Sequence, residues 1–212
     1  DLAARHHRAC RPVTMGSLFW QLNDVWPSIS WASIDHLGQW KLLQYQAKRF
    51  FAPQAIVAEH RNGATRVVLV SDATGAIPAH WRVTVRDMTG ATLGVREADA
   101  TLAPLSSTNV ATLPDADLFG SADPAKSYAV AELIVGGKAV SRTIVERLVP
   151  KDMAYPDPGL TMRRSGNALT ITAKNLARAV MVDMGDAPGQ ASDSGFDLLP
   201  GESKTVTLTG KQ

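Results

Sequence analysis

The sequence has 212 residues, of which 45% are hydrophobic and 20% charged, with a formal net charge of +2. This is the balance of an ordinary globular protein, long enough for one large domain or two to three small ones. The charge is too small to argue for a nucleic-acid partner, and no stretch reaches the ~18 apolar residues of a membrane span. No positively charged start followed by an apolar run marks a signal peptide. Cys10 is the single cysteine, which excludes an internal disulfide scaffold. Asp1 is not a methionine, and Asp-Leu-Ala-Ala-Arg-His-His-Arg reads as the interior of a polypeptide, so the sequence is expected to be a piece of a longer protein.

Taken in order, residues 2–10 are rich in alanine and arginine and free of glycine and proline, a helix-compatible run closed by Pro12. Met15 to Leu22 is a short, mostly apolar run without clean alternation, which suits a strand buried on both faces in a parallel barrel. Residues 23–38 are polar and aromatic by turns. From Gln39 to Phe51, Trp40, Leu43, Ala47 and Phe50 recur at helical spacing, with Lys48 and Arg49 in the last turn and Pro53 as the stop. Helix, buried strand, long loop, helix is α/β order.

After Pro53 the period changes to two. Val67–Val70, Trp81–Val85, Ala129–Val135 and Val140–Val149 are expected strands, separated by Asn62-Gly63, Thr74-Gly75, Thr89-Gly90 and Gly136-Gly137. The expectation is an immunoglobulin-like sandwich of about seven strands. Tyr155-Pro156-Asp157-Pro158-Gly159 reads as a linker. Beyond it, residues 168–172, 179–182 and 205–208 suggest a second, smaller sandwich, which at about 60 residues would be marginal alone.

The run Gly16-Ser17-Leu18-Phe19-Trp20-Gln21-Leu22-Asn23-Asp24-Val25-Trp26-Pro27 resembles the final barrel strand of β-mannosidases of glycoside hydrolase family 2. Ser30-Trp31-Ala32-Ser33-Ile34-Asp35, Gly38-Gln39-Trp40-Lys41 and Ala47–Pro53 continue the likeness. The segment from Asp193 to Glu202 is similar to the closing segment of the same enzymes. The resemblance implies a mostly β chain: residues 1–53 as the last helix-strand-helix portion of a (β/α)8 catalytic barrel, 54–151 as an immunoglobulin-like sandwich and 152–212 as a smaller one. It also implies that the seventh barrel helix ends near Arg11, that the eighth strand lies near Met15–Asn23 and the eighth helix near Gln39–Phe51. The family's two catalytic glutamates lie on earlier barrel strands. A complete barrel needs about 250 residues, and the glutamates present (Glu59, Glu97, Glu132, Glu146 and Glu202) all lie in the β-rich part. The piece alone is therefore expected to be inactive.

By the same resemblance Trp20 is the platform of the subsite that holds the terminal sugar, against the general alternative of a buried core tryptophan. An indole face is apolar and electron-rich and suits the C–H face of a pyranose. Asn23 and Asp24 would hydrogen-bond sugar hydroxyls or brace the loop, since such residues after strands are common turn formers. Trp26 and Trp31 would line the pocket rim or pack within the loop. Asp35 reads as an N-cap or loop brace, and Trp81 as sandwich core. His6, His7 and Cys10 are a poor metal set, because adjacent helical histidines point about 100° apart. Asp183, Asp186, Asp193 and Asp197 do not match a calcium loop. No metal and no cofactor is implied.

The leading expectation is a part of an exo-acting β-mannosidase that removes terminal β-D-mannosyl residues, contributing a sugar-pocket wall and scaffold. Its partners would be the β-mannoside, the remainder of the barrel and, for the piece alone, other copies of itself through uncovered Leu18, Trp20 and Leu22. The resemblance suggests a periplasmic or secreted parent. The alternatives are another family 2 activity such as exo-β-glucosaminidase, or a carbohydrate-binding or purely structural sandwich module.

Overall fold

The period-two segments after Pro53 pair as antiparallel strands. A computed structural model describes residues 1–185 and 189–210, which fall into two compact units. One holds Asp1–Ser17 and Phe50–Ala154, and the other starts with Leu18–Arg49 and resumes at Tyr155. Two short helices precede the strands in the chain, α1 (Leu2–Ala9) and α2 (Leu42–Phe50).

In the first unit, β1 (Gln54–Arg61), β2 (Ala64–Ser71), β3 (Ile77–Asp87), β4 (Thr92–Leu102), β5 (Ser106–Pro114), β6 (Ser127–Val135) and β7 (Lys138–Val145) form two sheets. Their orders are β1-β2-β5 and β4-β3-β6-β7, the three-plus-four arrangement of an immunoglobulin-like sandwich. Trp81, Val83 and Val85 on β3 alternate into the core with Ile56, Val67, Leu69 and Leu133, and Trp81 is only 7% exposed. On the opposite face of β3, Arg82 pairs with Glu132 at 2.8 Å.

Strand β2 is buried on both faces, which explains its unbroken Val67-Val68-Leu69-Val70 run. Val67 and Leu69 enter the sandwich core, while Val68 and Val70 pack with Ala55, Val57 and Ala9 of α1. Helix α1 is pinned there by Arg8, whose guanidinium donates to Asp72 at 2.8 Å and to the Phe50 carbonyl at 2.6 Å. The edge of β1 is closed by side chains of β7: Ser141 Oγ accepts from the Ile56 amide, and Thr143 Oγ1 donates to the Ile56 carbonyl at 2.7 Å.

The turn chemistry acts where the sequence places it. Asn62 and Gly63 both take positive φ (53° and 73°), as do Gly136 and Gly137 (57° and 75°). Both pairs form two-residue hairpins of the kind that matches strand twist, joining β1 to β2 and β6 to β7. The strand expected over Val140–Val149 spans Lys138–Val145.

In the second unit, β8 (Thr161–Ser165), β9 (Ala168–Thr172), β10 (Ala177–Val180), β11 (Gln190–Ala191), β12 (Phe196–Leu198) and β13 (Ser203–Thr209) form sheets β11-β13-β9-β8 and β10-β12. Its core is Ile171, Ala173, Val180, Phe196, Leu198 and Val206. The strand expected at residues 179–182 lies two residues earlier.

Met15–Leu22 differs from expectation, because it has no strand. Its last residues, Gln21 and Leu22, are bonded to the amides of Ser33 and Ile34, and the neighbouring Asn23 forms an isolated parallel bridge to Ile34, itself bridged to Trp40. A parallel barrel strand needs a parallel neighbour on each side, and among the described residues none is supplied.

Candidate functional site

Most of the large apolar residues on the segment from Val13 to Leu37 lie outside, where the sandwiches would bury such residues. Trp20 is 74% exposed and Trp26 67%, and Leu18, Leu22, Ile29 and Trp31 are exposed with them. Asn23 is exposed too, its amide donating to the Asp24 carbonyl at 3.1 Å. Asp24 is the exception at 5%. Thus Trp20, Asn23 and Trp26 present their side chains outward, while Asp24 faces inward.

The loop is held from beneath by hydrogen bonds. The Ser33 amide donates to the Gln21 carbonyl at 3.1 Å and the Ile34 amide to the Leu22 carbonyl at 2.9 Å. The Asp24 amide returns a bond to the Ile34 carbonyl at 3.0 Å, and the Lys41 amide donates to the Ser33 carbonyl at 2.9 Å. At the centre, Lys41 Nζ donates to Asp24 Oδ2 at 2.5 Å and Ser30 Oγ donates to Asp24 Oδ1. The bond from Lys41, reinforced by that from Ser30, holds the Asp24 carboxyl below the usual carboxylate range against the opposing effect of burial. Both carboxylate oxygens are engaged inside the loop. Asp35 accepts from the Leu37 and Gln39 amides, both at 2.8 Å, and so braces the turn before α2.

Lys41 leads directly into α2, whose side chains dock on the small sandwich. Trp40 meets Tyr45 edge-on, ring centroids 5.3 Å apart. Burial, with the negative charge of Asp193 adding to it, pushes the Tyr45 hydroxyl up, so it stays protonated and donates to the Ala191 carbonyl at 2.9 Å. Gln46 donates to the Gly195 carbonyl at 2.7 Å, and Arg49 donates to Asp193 and to the Ser194 carbonyl. Asp193 also accepts Lys204.

Sequence reasoning put Ser30, Lys41 and Gly195 in motifs without partners or roles, and did not single out Gln46. Oppositely charged residues flanking the aromatic loop were the one available signal for Asp24–Lys41. Contacts between α2 and residues 191–195 carry no local signal.

Three of the five glutamates of the β-rich part are engaged in ion pairs. Glu59 pairs with His6 and Arg66, Glu97 with His80, and Glu132 with Arg82 and Arg142. Among the described residues no group of His, Cys, Asp and Glu is arranged to hold a metal. Asp183 accepts from the Gly185 amide, Asp193 pairs with Arg49 and Lys204, and Asp197 pairs with Arg178; Asp186, the fourth of that acidic stretch, lies outside the described residues. Among the sandwich aromatics, Trp81, Phe119, Tyr128 and Phe196 are all buried, and Tyr155 is half-buried.

The Mannosidase Ig/CBM-like domain family matches residues 63–152, and an Ig-fold domain family matches residues 155–212. The β-mannosidase of Capra hircus is 31% identical over 219 residues, covering 91% of this chain and 23% of the goat protein. Among solved structures, a β-D-mannosidase from Dictyoglomus thermophilum superposes with a TM-score of 0.81 at 21% identity, over 99% of this chain and 26% of that one. An exo-chitosanase from Amycolatopsis orientalis gives 0.66 at 20% identity, over 97% and 30%. Both structural likenesses establish a shared fold. The chain spans about a quarter of the length of the curated relatives it matches.

Proposed function

We propose, from the match of the two immunoglobulin-type domains to the Mannosidase Ig/CBM-like and Ig-fold families and from the likeness to β-mannosidases over most of the chain, that the whole protein is an exo-acting, retaining β-mannosidase. In this reading residues 1–53 supply the last part of its barrel, and the loop from Leu18 to Trp31 forms one wall of the sugar pocket. Trp20 offers an indole face to the C–H face of the terminal mannosyl ring. Asn23 and Trp26 line the same wall, and Asp24 acts by fixing it. Chemistry needs two carboxylates about 5 Å apart across the sugar. None of the five glutamates belongs to the loop, so the reacting groups come from the rest of the protein.

The observation that carries this reading is the combination of exposed aromatic faces and a hydrogen-bonded loop beneath them. Trp20 and Trp26 are uncovered, yet the backbone between them, residues 21–24, is bound to residues 33 and 34 by four hydrogen bonds, and Asp24 pairs with Lys41 beneath it. A rigid aromatic surface is what a sugar platform requires, because little order is lost on binding. A sugar-binding sandwich module is less well supported, since exposed aromatic platforms are absent from the described sandwich surfaces.

The test is the whole protein, purified from its complete reading frame and assayed with p-nitrophenyl β-D-mannoside, β-D-glucosaminide and β-D-galactoside. Hydrolysis of the mannoside with the highest kcat/KM supports the proposal. Preference for the glucosaminide would move the assignment to that activity within the same fold. The 212-residue chain alone should hydrolyse none of them. It should self-associate through Leu18, Trp20 and Ile29, because large uncovered apolar patches pair with one another. Light scattering should show oligomers that dissociate when all three are changed to serine.

A further inference from the structure

The second unit joins two segments far apart in sequence, and the contacts run in a continuous line. It starts at the exposed Trp20 and passes through the backbone bonds of residues 21–24 to residues 33 and 34. It continues through Lys41, which holds Asp24 with its ammonium and Ser33 with its amide. It ends where α2 meets residues 191–195 of the small sandwich.

That last junction is closely fitted. Gly195 has φ of +64° and lies under Leu42, and a Cβ at this position would overlap Leu42 Cδ1 and crowd Gln46 Nε2 at 3.2 Å. Only glycine adopts that backbone without strain while leaving room for the helix. Asp193 gathers Arg49 of α2 and Lys204 of β13 on its two oxygens and accepts from the Ser194 amide at 2.9 Å. Arg49 is three-quarters shielded and Asp193 four-fifths, so this pair is less screened than an open surface pair. Tyr45 and Gln46 donate to the Ala191 and Gly195 carbonyls of the small sandwich.

We infer that the small C-terminal sandwich is a positioning device for the Trp20 loop, with Asp193 and Gly195 as its positioning residues, acting through α2 and the Lys41–Asp24 pair. This rests on the sugar-pocket reading for its kinetic consequence alone, since the mechanical coupling is a property of the described unit. The small sandwich fixes α2 along the Tyr45–Arg49 side, α2 fixes Lys41, and Lys41 fixes the loop that carries the platform. A helix of nine residues is marginal in isolation, so its placement comes from what it docks against.

The experiment compares Asp193→Asn and Gln46→Ala in the whole protein. The first keeps side-chain shape but removes the charge that holds Arg49, and the second leaves every sandwich residue untouched, so one remains interpretable if the other folds poorly. Hydrogen exchange is followed in peptides covering residues 18–36, with KM and kcat measured on the aryl β-mannoside. The expected result is exchange in the loop faster by about fivefold or more, the range of ordinary site-to-site coupling, with a several-fold rise in KM. A purely structural role would lower the folded fraction, and so kcat, leaving KM and loop exchange of folded molecules unchanged; that result overturns the inference. Faster loop exchange in a protein with no activity on mannosides supports the coupling while overturning the sugar-pocket reading.

Discussion

The first sandwich and the loop from Val13 to Leu37 use the same kinds of residues in opposite ways. In the sandwich, Trp81 sits among Ile56, Val67, Val83 and Leu133 with almost no exposure, and polar groups lie on the outside. In the loop, Trp20, Trp26, Ile29 and Trp31 are outside, and the most buried charged group is Asp24. Burial of apolar area is what holds a core together. The loop obtains its shape from hydrogen bonds and one ion pair. Its exposed apolar residues therefore contribute almost nothing to the stability of this chain and are available for a surface outside it.

The sharpest way to break that comparison is to truncate one tryptophan in each region. Trp81→Ala should destabilise the chain by about 3–5 kcal/mol, the range for large aromatic truncations in a packed core. Trp20→Ala should change it by no more than about 0.5 kcal/mol, as at exposed positions without partners. Urea unfolding of the two variants measures both, and equal losses would show that the loop tryptophan is core after all.

A smaller contrast concerns glycine. Gly137, at φ 75° in the β6–β7 turn, should lose about 1–2 kcal/mol as alanine, because a Cβ strains the left-handed region. Gly16 has no such φ and open space around its missing Cβ, so Gly16→Ala should leave the unfolding midpoint unchanged.

The smallest effect is acid-dependent and confined to the loop. The Asp24 carboxyl is held below its ordinary value by Lys41 and Ser30. Its contribution is therefore complete above about pH 3.9, the unfolded value, and is lost as the pH falls through the lower folded value. Near-UV circular dichroism of the tryptophans should be constant from neutral pH to about pH 5 and change only at stronger acidity. In Asp24→Asn that acid step should be missing; if it persists unchanged, another group controls the loop.

Legibility in the sequence followed the range of the interactions. The hairpins at Asn62-Gly63 and Gly136-Gly137 were readable because turn chemistry is local. Strands β2, β3, β6 and β9 were readable because alternating or continuous apolar runs mark them. β4 was not, since Gly94-Val95-Arg96-Glu97-Ala98-Asp99 lies on a sheet edge with one side in water, where polar residues carry no penalty. β5, on the edge of the other sheet, is equally polar and carries a register shift. The apolar character of Met15–Leu22 was plain, but strand formation depends on neighbours and not on composition. In the loop, Trp20 and Trp26 stood out as residue types, while the role of Asp24 depended on Lys41 seventeen positions away. The seating of α2 against Asp193 and Gly195 involves separations above 140 residues and left no local trace.

The central claim is that the uncovered Trp20 face is a sugar platform, and kinetics of Trp20→Ala in the whole protein test it most directly. Loss of one stacked aromatic face, worth about 1.5–3 kcal/mol, should lower kcat/KM on p-nitrophenyl β-D-mannoside by about tenfold to a hundredfold, with the unfolding midpoint unchanged. A kcat/KM within about twofold of the parent protein, in a properly folded variant, would contradict the account.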